Sequence, residues 1–348
     1  MKKYVFAALS FFGFTSVTFA HEVYVLDHSE VTNALATPGF DPLTVIMDNL
    51  NQFAFWAMLV SILLIAIFFF SISRPIERAL DPILIRIKPY GFAVTRIAFG
   101  LSMVAGAYNH AVFGPEIKLD LIFGTYADMM SIALAIMGTL ITLGAYTRIA
   151  AIAALVFFAA AFFADKTYML TYANYLAEII ILLFLGSHRG SVEDLRRLRH
   201  GIIPRFHRWY TRMERTFTPY AFLVLRVGTG ISLIYASIYA KVLHNNLAVE
   251  TVIKYNLTDY FHFSPDFLVL GASLLEILLG MLILLGIEIR FASLFFGAFL
   301  ILSLLYFGEA VWPHLILFGI VIALFTHGYD RYSLEGRFFA RGHREPVL

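Results

Sequence analysis

The stretch Tyr220–Gly230 reads YAFLVLRVGTG and repeats the pattern of Tyr90–Gly100, YGFAVTRIAFG, at an offset of 130 residues (220 − 90). Both stretches have Tyr at the first position, Phe at the third, Val at the fifth, Arg at the seventh and Gly at the eleventh. In each, a single arginine lies inside an otherwise apolar run. This repetition indicates that the chain contains two copies of one membrane unit.

Two later groups of residues also occur twice, but at an offset of 142 residues (286 − 144). They are Gly138, Gly144 and Arg148 with Gly280, Gly286 and Arg290, and then Arg189, Ser191 and Glu193 with Arg331, Ser333 and Glu335. The second copy therefore carries about 12 extra residues between its first and second apolar runs. Each copy contains four apolar runs, so both copies should have the same orientation. Parallel repeats of this kind are related by a pseudo-two-fold axis along the membrane normal.

The composition is that of a membrane protein. Of the 348 residues, 60% are hydrophobic and 14% are charged, whereas soluble domains have roughly 25% charged residues. Lipid must therefore solvate much of the chain. There are no cysteines, which excludes disulfides, thiolate nucleophiles and cysteine-ligated metal centres.

The fold class that these features predict is an all-α polytopic membrane protein, with two parallel-repeat four-helix bundles and one N-terminal anchor helix. We divide the chain into a signal peptide (1–20), an extracytoplasmic segment (21–52), an anchor helix with a basic connector (53–89), a first unit (90–193), a basic linker (194–218), a second unit (219–335) and a cytoplasmic tail (336–348). The signal peptide has a basic start, an apolar run and a small residue at Ala20. An uncleaved anchor is the alternative.

Positive charges predict the orientation. With the N-terminus outside, 18 Lys and Arg residues fall in cytoplasmic segments and four fall outside, at Lys118, Lys166, Lys241 and Lys254. Because cytoplasmic loops are enriched in Lys and Arg, we expect nine mature spans in the bacterial inner membrane. The N-terminus is then periplasmic and the C-terminus cytoplasmic.

The repeated motifs resemble the DoxX-like family of small four-helix bacterial membrane proteins. The resemblance rests on the Arg–Gly pair of the first helix and on the two glycines and Arg that end the second helix. It also rests on the sequence after the fourth helix, which reads Asp-Arg-Tyr-Ser-Leu-Glu at residues 330–335. A Glu often precedes the glycines, as Glu276 does, whereas the first unit has Leu134 there. The resemblance implies a link to membrane redox complexes, including quinone-linked sulfur oxidation.

Three functions remain open at this stage. The first is an inner-membrane subunit of a redox-linked assembly, in which a bound quinone carries the electrons that a cysteine-free chain cannot. The second is a transporter or lipophile-binding protein with its site between the two units, where repeat transporters bind their substrates. The third is a ligand-free scaffold for a periplasmic partner.

Polar groups at membrane depth are functional candidates. Arg96 and Arg226 each lie about two turns inside a helix, and their duplication favours a structural role. Glu276 is expected to be protonated or paired with another helix, and to contact a ligand or carry a proton. The remaining candidates are Asp128, Glu178, Asn109, His110 and His314.

The expected partners are the lipid bilayer, a redox partner protein and a lipophilic small molecule. No His pair has a compact ligand spacing, so no metal site is predicted. The arginine-rich linker is explained by topology and anionic lipid, and no nucleic-acid partner is expected.

Overall fold

The computed structural model describes residue 26 and residues 28–187, 189–195, 204–309 and 311–338. The predicted signal peptide, part of the basic linker and the last ten residues of the tail lie outside these ranges. The α-helices are α1 (His28–Ala36), α2 (Pro42–Asn49), α3 (Phe53–Ile87), α4 (Gly91–Tyr108), α5 (Leu119–Phe123), α6 (Ala127–Leu143), α7 (Thr147–Ala164), α8 (Ala173–Leu185), α9 (Val192–Leu195), α10 (Pro204–Ser237), α11 (Asn246–Lys254), α12 (Thr258–Phe261), α13 (Pro265–Leu285), α14 (Ile289–Phe307), α15 (Leu315–His327) and α16 (Leu334–Phe338).

The described residues contain no β-strand, and seven segments are long and apolar enough to cross a membrane. Two shorter apolar helices, Phe55–Leu64 and Trp312–His327, lie at the positions of two further predicted spans. The prediction of an all-α polytopic membrane protein is thus confirmed. Two helices continue beyond the predicted spans: α3 runs through Pro75 and Pro82, and α10 runs through Pro219.

Eight helices form a closed ring. In ring order they are α4, α6, α7, α8, α10, α13, α14 and α15, and α15 packs back against α4. The first four belong to the first predicted unit and the last four to the second. The fourth helix of each unit therefore packs extensively against the first helix of the other unit.

Small residues make these two crossings possible. A Cβ atom added to Gly228 of α10 would lie 2.4 Å from the Ala177 side chain of α8, and one added to Gly319 of α15 would lie 2.7 Å from the Ala98 side chain of α4. Gly228 and Ala98 are 130 residues apart, and Gly319 and Ala177 are 142 apart. The two crossings therefore use equivalent positions of the two units. In one crossing the glycine lies on the first helix of a unit, and in the other it lies on the fourth helix.

Ion pairs connect each unit to the helix that leads into the other one. Arg148 of the first unit lies 3.8 Å from Glu214 of α10 and stacks over the Tyr210 ring. Arg290 of the second unit lies 2.7 Å from Asp81 of α3. Since Arg148 and Arg290 occupy equivalent positions, the two lead-in helices are bound in the same manner.

The extra residues of the second unit build a cap at one end of the ring. We call this structure, formed by residues 28–52 and 246–261, the cap. Lys254 forms an ion pair with Glu30 at 2.7 Å, and the Asn245 side chain donates to the Phe40 carbonyl at 2.7 Å. Leu247 is fully buried in the same region. The N-terminal segment and the insertion thus fold as one structure.

The cap and the basic linker lie at opposite ends of the ring, so cysteine labelling tests the predicted orientation. In this cysteine-free chain we expect Glu250→Cys in the cap to react with an impermeant maleimide in intact cells. Arg212→Cys in the linker helix should react only after the membrane is permeabilised. Both positions are exposed. Labelling of both from the same side would contradict the orientation.

The pKa of Glu335, outside the spans, is raised from 4.5 to about 7 by burial and by the charges of Glu77 and Glu288. The folded protein therefore holds a proton on Glu335 that the unfolded chain releases near pH 4.5. Stability from this group is full below pH 4.5 and is lost as the pH rises to about 7. At most about 3 kcal/mol is involved.

We expect Glu335→Gln to flatten this pH dependence, because Gln is neutral and can still accept the hydrogen bond from the Glu288 backbone N–H. Thermal unfolding in detergent between pH 5 and 8 measures the effect. Glu250→Gln, an exposed change, is the control. Identical pH profiles for Glu335→Gln and the wild type would show that Glu335 does not titrate in this range.

Candidate functional site

The two duplicated arginines bind backbone carbonyls at the end of the ring opposite the cap. Arg226 donates to the carbonyls of Ile283, Leu284 and Tyr332, with 3.2 Å to Tyr332. Arg96 donates to the Gly190 carbonyl at 3.3 Å. Both side chains are almost fully buried. Arg226 therefore joins α10 to the end of α13 and to the chain after α15. Arg96 joins α4 to the chain after α8.

Glycines leave room for the guanidinium groups. Gly144 and Gly286 end α6 and α13 with φ of +65° and +72°, which L-residues adopt rarely. A Cβ at Gly286 would also lie 2.7 Å from Arg226 Nη1, and one at Gly144 would lie 2.4 Å from Arg96 Nη1. In each unit the repeated Arg therefore packs against the repeated Gly that ends the second helix. These contacts support a structural role for Arg96 and Arg226.

Four other candidate residues lie apart from any common site. Asp128 is 3.7 Å from His110 on the surface, and Asn109 donates to the Ala105 carbonyl of its own helix. Glu178 is fully buried and accepts a hydrogen bond from Thr95 at 3.1 Å. Glu178 also lies close enough for its charge to act on Arg96.

A cavity of about 100 Å³ lies inside the second unit, on the side of the cap, and is closed on one side by α8 of the first unit. It brings together two of the predicted candidates, Glu276 and His314. The lining also includes Tyr168, Tyr172, Asn174, Tyr175, Ser232, Tyr239, Lys241 and Leu300. A cavity of this volume is large enough for several water molecules or a small ring.

Glu276 is paired with Lys241 at the wall of the cavity. The Lys241 Nζ atom lies 3.0 Å from Glu276 Oε2, and the two side chains are 8% and 14% exposed. Lys241 belongs to a π-helical turn, Ile238–Leu243, that extends α10. The charge count places Lys241 among the exterior residues, whereas the structure places it inside the bundle, because α10 is longer than its counterpart α4.

His314 has an acidic partner of its own. Its Nε2 atom lies 3.4 Å from Glu309 Oε2, and both side chains are at most 3% exposed. Ser303 donates a hydrogen bond to the other Glu309 oxygen at 2.8 Å. Desolvated acids of this kind require such partners. Glu309 is not among the site residues predicted from the sequence, since it lies in a short connection where a solvated carboxylate is the usual expectation.

Tyrosines form the wall on the side of the first unit. Tyr168 and Tyr172 both donate hydrogen bonds to Glu116, and Tyr168 also packs edge-on against Tyr239 at 4.9 Å between ring centroids. The wall therefore carries aromatic rings whose hydroxyl groups already have partners. Such surfaces suit a flat, largely apolar ligand.

In the first unit an aromatic side chain packs in the region that corresponds to the cavity. The loop after α4 turns inward at Phe113, which is fully buried and packs edge-on against Phe158 at 5.5 Å. Phe158 is the counterpart of Leu300, a lining residue of the cavity. Leu134 stands in place of Glu276, and Ala111 is at the position equivalent to Lys241.

Residues 221–309, which include α13, α14 and most of the membrane part of α10, match the family model described as DoxX. The resemblance is confirmed for this region, and most of the residues that line the cavity lie within it. The search of curated proteins found no match to the chain, and the search of solved structures found none either.

We expect Arg226→Leu to lower the folded yield in detergent, because it leaves buried carbonyls without a donor at about 1–3 kcal/mol each. Arg226→Lys should be intermediate, since one ammonium replaces a planar guanidinium. Size-exclusion chromatography and thermal unfolding measure the effect. Arg212→Leu, at an exposed site, is the control. Equal yields for Arg226→Leu and Arg212→Leu would contradict a structural role.

Proposed function

We propose that this protein is an inner-membrane subunit of a redox-linked assembly, and that it binds a quinone in the cavity between α8 and the second unit. The observation that carries the proposal is the Lys241–Glu276 ion pair, which is held 3.0 Å apart on the wall of a membrane-embedded cavity. Buried ion pairs in spans are rare, and they mark ligand or ion sites.

The chemistry of the lining fits a quinone headgroup. Lys241 supplies ammonium hydrogens to a carbonyl oxygen, while Glu276 and Tyr168 limit where that ammonium and the ring can lie. The tyrosine rings and the apolar side chains of α14 provide flat contact area for the ring. When bound, a quinone supplies electron transfer, which this cysteine-free chain cannot provide through thiols.

The ion pair is not required by the repeat itself. The first unit has Ala111 and Leu134 at the equivalent positions, and both are buried. Replacing a buried ion pair by apolar residues is often neutral for stability, whereas removing one partner costs about 3–5 kcal/mol. Retention of Lys241 and Glu276 in the second unit is therefore better explained by a ligand than by stability.

The proposal is tested by giving the second unit the residues that the first unit has at the two equivalent positions, Ala111 and Leu134. We expect Glu276→Leu alone to lower the folded yield, because Lys241 then lacks its carboxylate. The double change Lys241→Ala with Glu276→Leu should restore the yield but not the ligand. Quinone content is measured by solvent extraction of the purified protein and mass spectrometry, per mole of folded protein.

The outcomes separate the alternatives. Quinone in the wild type and its loss from the double variant support the proposal. Equal quinone content in both would contradict it. Retention of a different lipophile in the wild type would favour the lipophile-binding or transport function, whose support is the position of the cavity at the contact between units. Empty protein that co-purifies a periplasmic partner would favour the scaffold.

A further inference from the structure

One fully buried acid of the first unit has a single hydrogen-bond partner. Glu178 of α8 is 0% exposed, and its Oε1 atom lies 3.1 Å from the hydroxyl oxygen of Thr95 on α4. With the residues that the structure describes, its Oε2 atom makes no hydrogen bond and its carboxyl group forms no ion pair. A buried carboxylate needs several donors or a close cation to stay ionised. The geometry of Glu178 therefore favours the neutral, protonated carboxyl group.

The Thr95 hydroxyl group can serve both protonation states of Glu178. It has one hydrogen, and two acceptors lie within its reach: Glu178 Oε1 at 3.1 Å and the Phe92 carbonyl of its own helix at 3.0 Å. When Glu178 is ionised, Thr95 donates to it. When Glu178 is protonated, the carboxyl group donates to Thr95, and Thr95 donates to Phe92, as threonines in helices commonly do. A proton can therefore be gained or lost here by the turn of one hydroxyl group.

Packing of the repeat does not require this polar pair. The second unit has Leu225 and Ile320 at the positions equivalent to Thr95 and Glu178. All four side chains are fully buried. Replacing both partners of a buried hydrogen bond by apolar groups of similar shape is often nearly neutral for stability. The acid of the first unit is therefore better explained by its chemistry than by the fold.

Glu178 lies between the cavity and the end of the ring opposite the cap. Asn174 and Tyr175 line the cavity and precede Glu178 on α8 by one helical turn. Residues three or four apart on a helix are neighbours. On the other side is Arg96, which binds the Gly190 carbonyl at the end opposite the cap and on which the charges of Glu178 and of both acids of α9 act. A proton can therefore reach Glu178 from the cavity without crossing lipid.

We propose that Glu178 is a proton-binding site at membrane depth, which holds a proton at neutral pH and exchanges it with water through the cavity. Binding forms an O–H bond at one carboxyl oxygen. Release breaks that bond and leaves a carboxylate that accepts from Thr95, and no electron moves in either step. The ligand of this site is a single proton, so the inference does not depend on which molecule the cavity binds.

Infrared spectroscopy of the purified protein tests the protonation state, because a protonated carboxyl group and a carboxylate have separate stretching bands. In the difference spectrum between the wild type and Glu178→Gln at neutral pH, we expect the C=O band of one protonated carboxyl group. Thr95→Leu with Glu178→Ile, which copies the second unit, should lose the same band and keep the wild-type folded yield. Glu250→Gln, at an exposed position, is the control and should keep the band.

Transfer of the protein to D2O tests the route of exchange. We expect the wild-type band to shift as deuterium replaces the proton. Ala236→Phe places a ring in the cavity, which Ala236 lines, and it should slow this shift. Ile152→Phe, on the exposed side of α7, is the matched control and should shift at the wild-type rate.

The failures are distinguishable. Absence of the band from the wild type would show that Glu178 is ionised, and a band that does not shift in D2O would show a fixed proton; either result overturns the proposal. An equally fast shift in Ala236→Phe and the wild type would overturn the route through the cavity. Size-exclusion chromatography verifies folding, and the double variant provides the difference spectrum if Glu178→Gln aggregates.

Discussion

Close backbone contact between the two units is the constraint on which the rest of the structure depends. In a bilayer, apolar side chains gain little by leaving lipid, so helices associate through packing of small residues and through polar contacts. Gly228 against Ala177, and Ala98 against Gly319, allow α10 and α15 to approach their partners at backbone distance. These two crossings close the eight-helix ring, and one wall of the cavity exists only because α8 is held there.

The two halves of the ring use the same contacts but do not have the same interior. Phe113 turns inward in the first unit and packs in the region that corresponds to the cavity, whereas the corresponding chain of the second unit continues as the π-helical turn that carries Lys241. The insertion then folds outward into the cap. The half that carries most of the cavity lining includes residues 221–309, which match the family model described as DoxX.

Much of the fold could be predicted from the sequence, because apolar runs, repeated Arg and Gly positions and charge bias act locally or along single helices. Glu276 and His314 were also found, since polar groups in apolar runs are conspicuous. Lys241, Glu309 and Asn174 were not assigned to the site. Lys241 was counted as an exterior charge, and its burial depends on the length of α10. The partners of Glu276 and Asn174 come from another helix or the other unit, and no spacing within one run shows such contacts.

The central claim is that the cavity between α8 and the second unit holds a quinone. Photolabelling with a decylubiquinone that carries an azide on the ring, followed by peptide mapping, tests it most directly. The account predicts that adducts concentrate in two segments, Tyr168–Tyr175 and Leu233–Lys241, and that unlabelled decylubiquinone abolishes them. Adducts spread over the lipid-facing sides of α3 and α7, with no effect of the competitor, would contradict it.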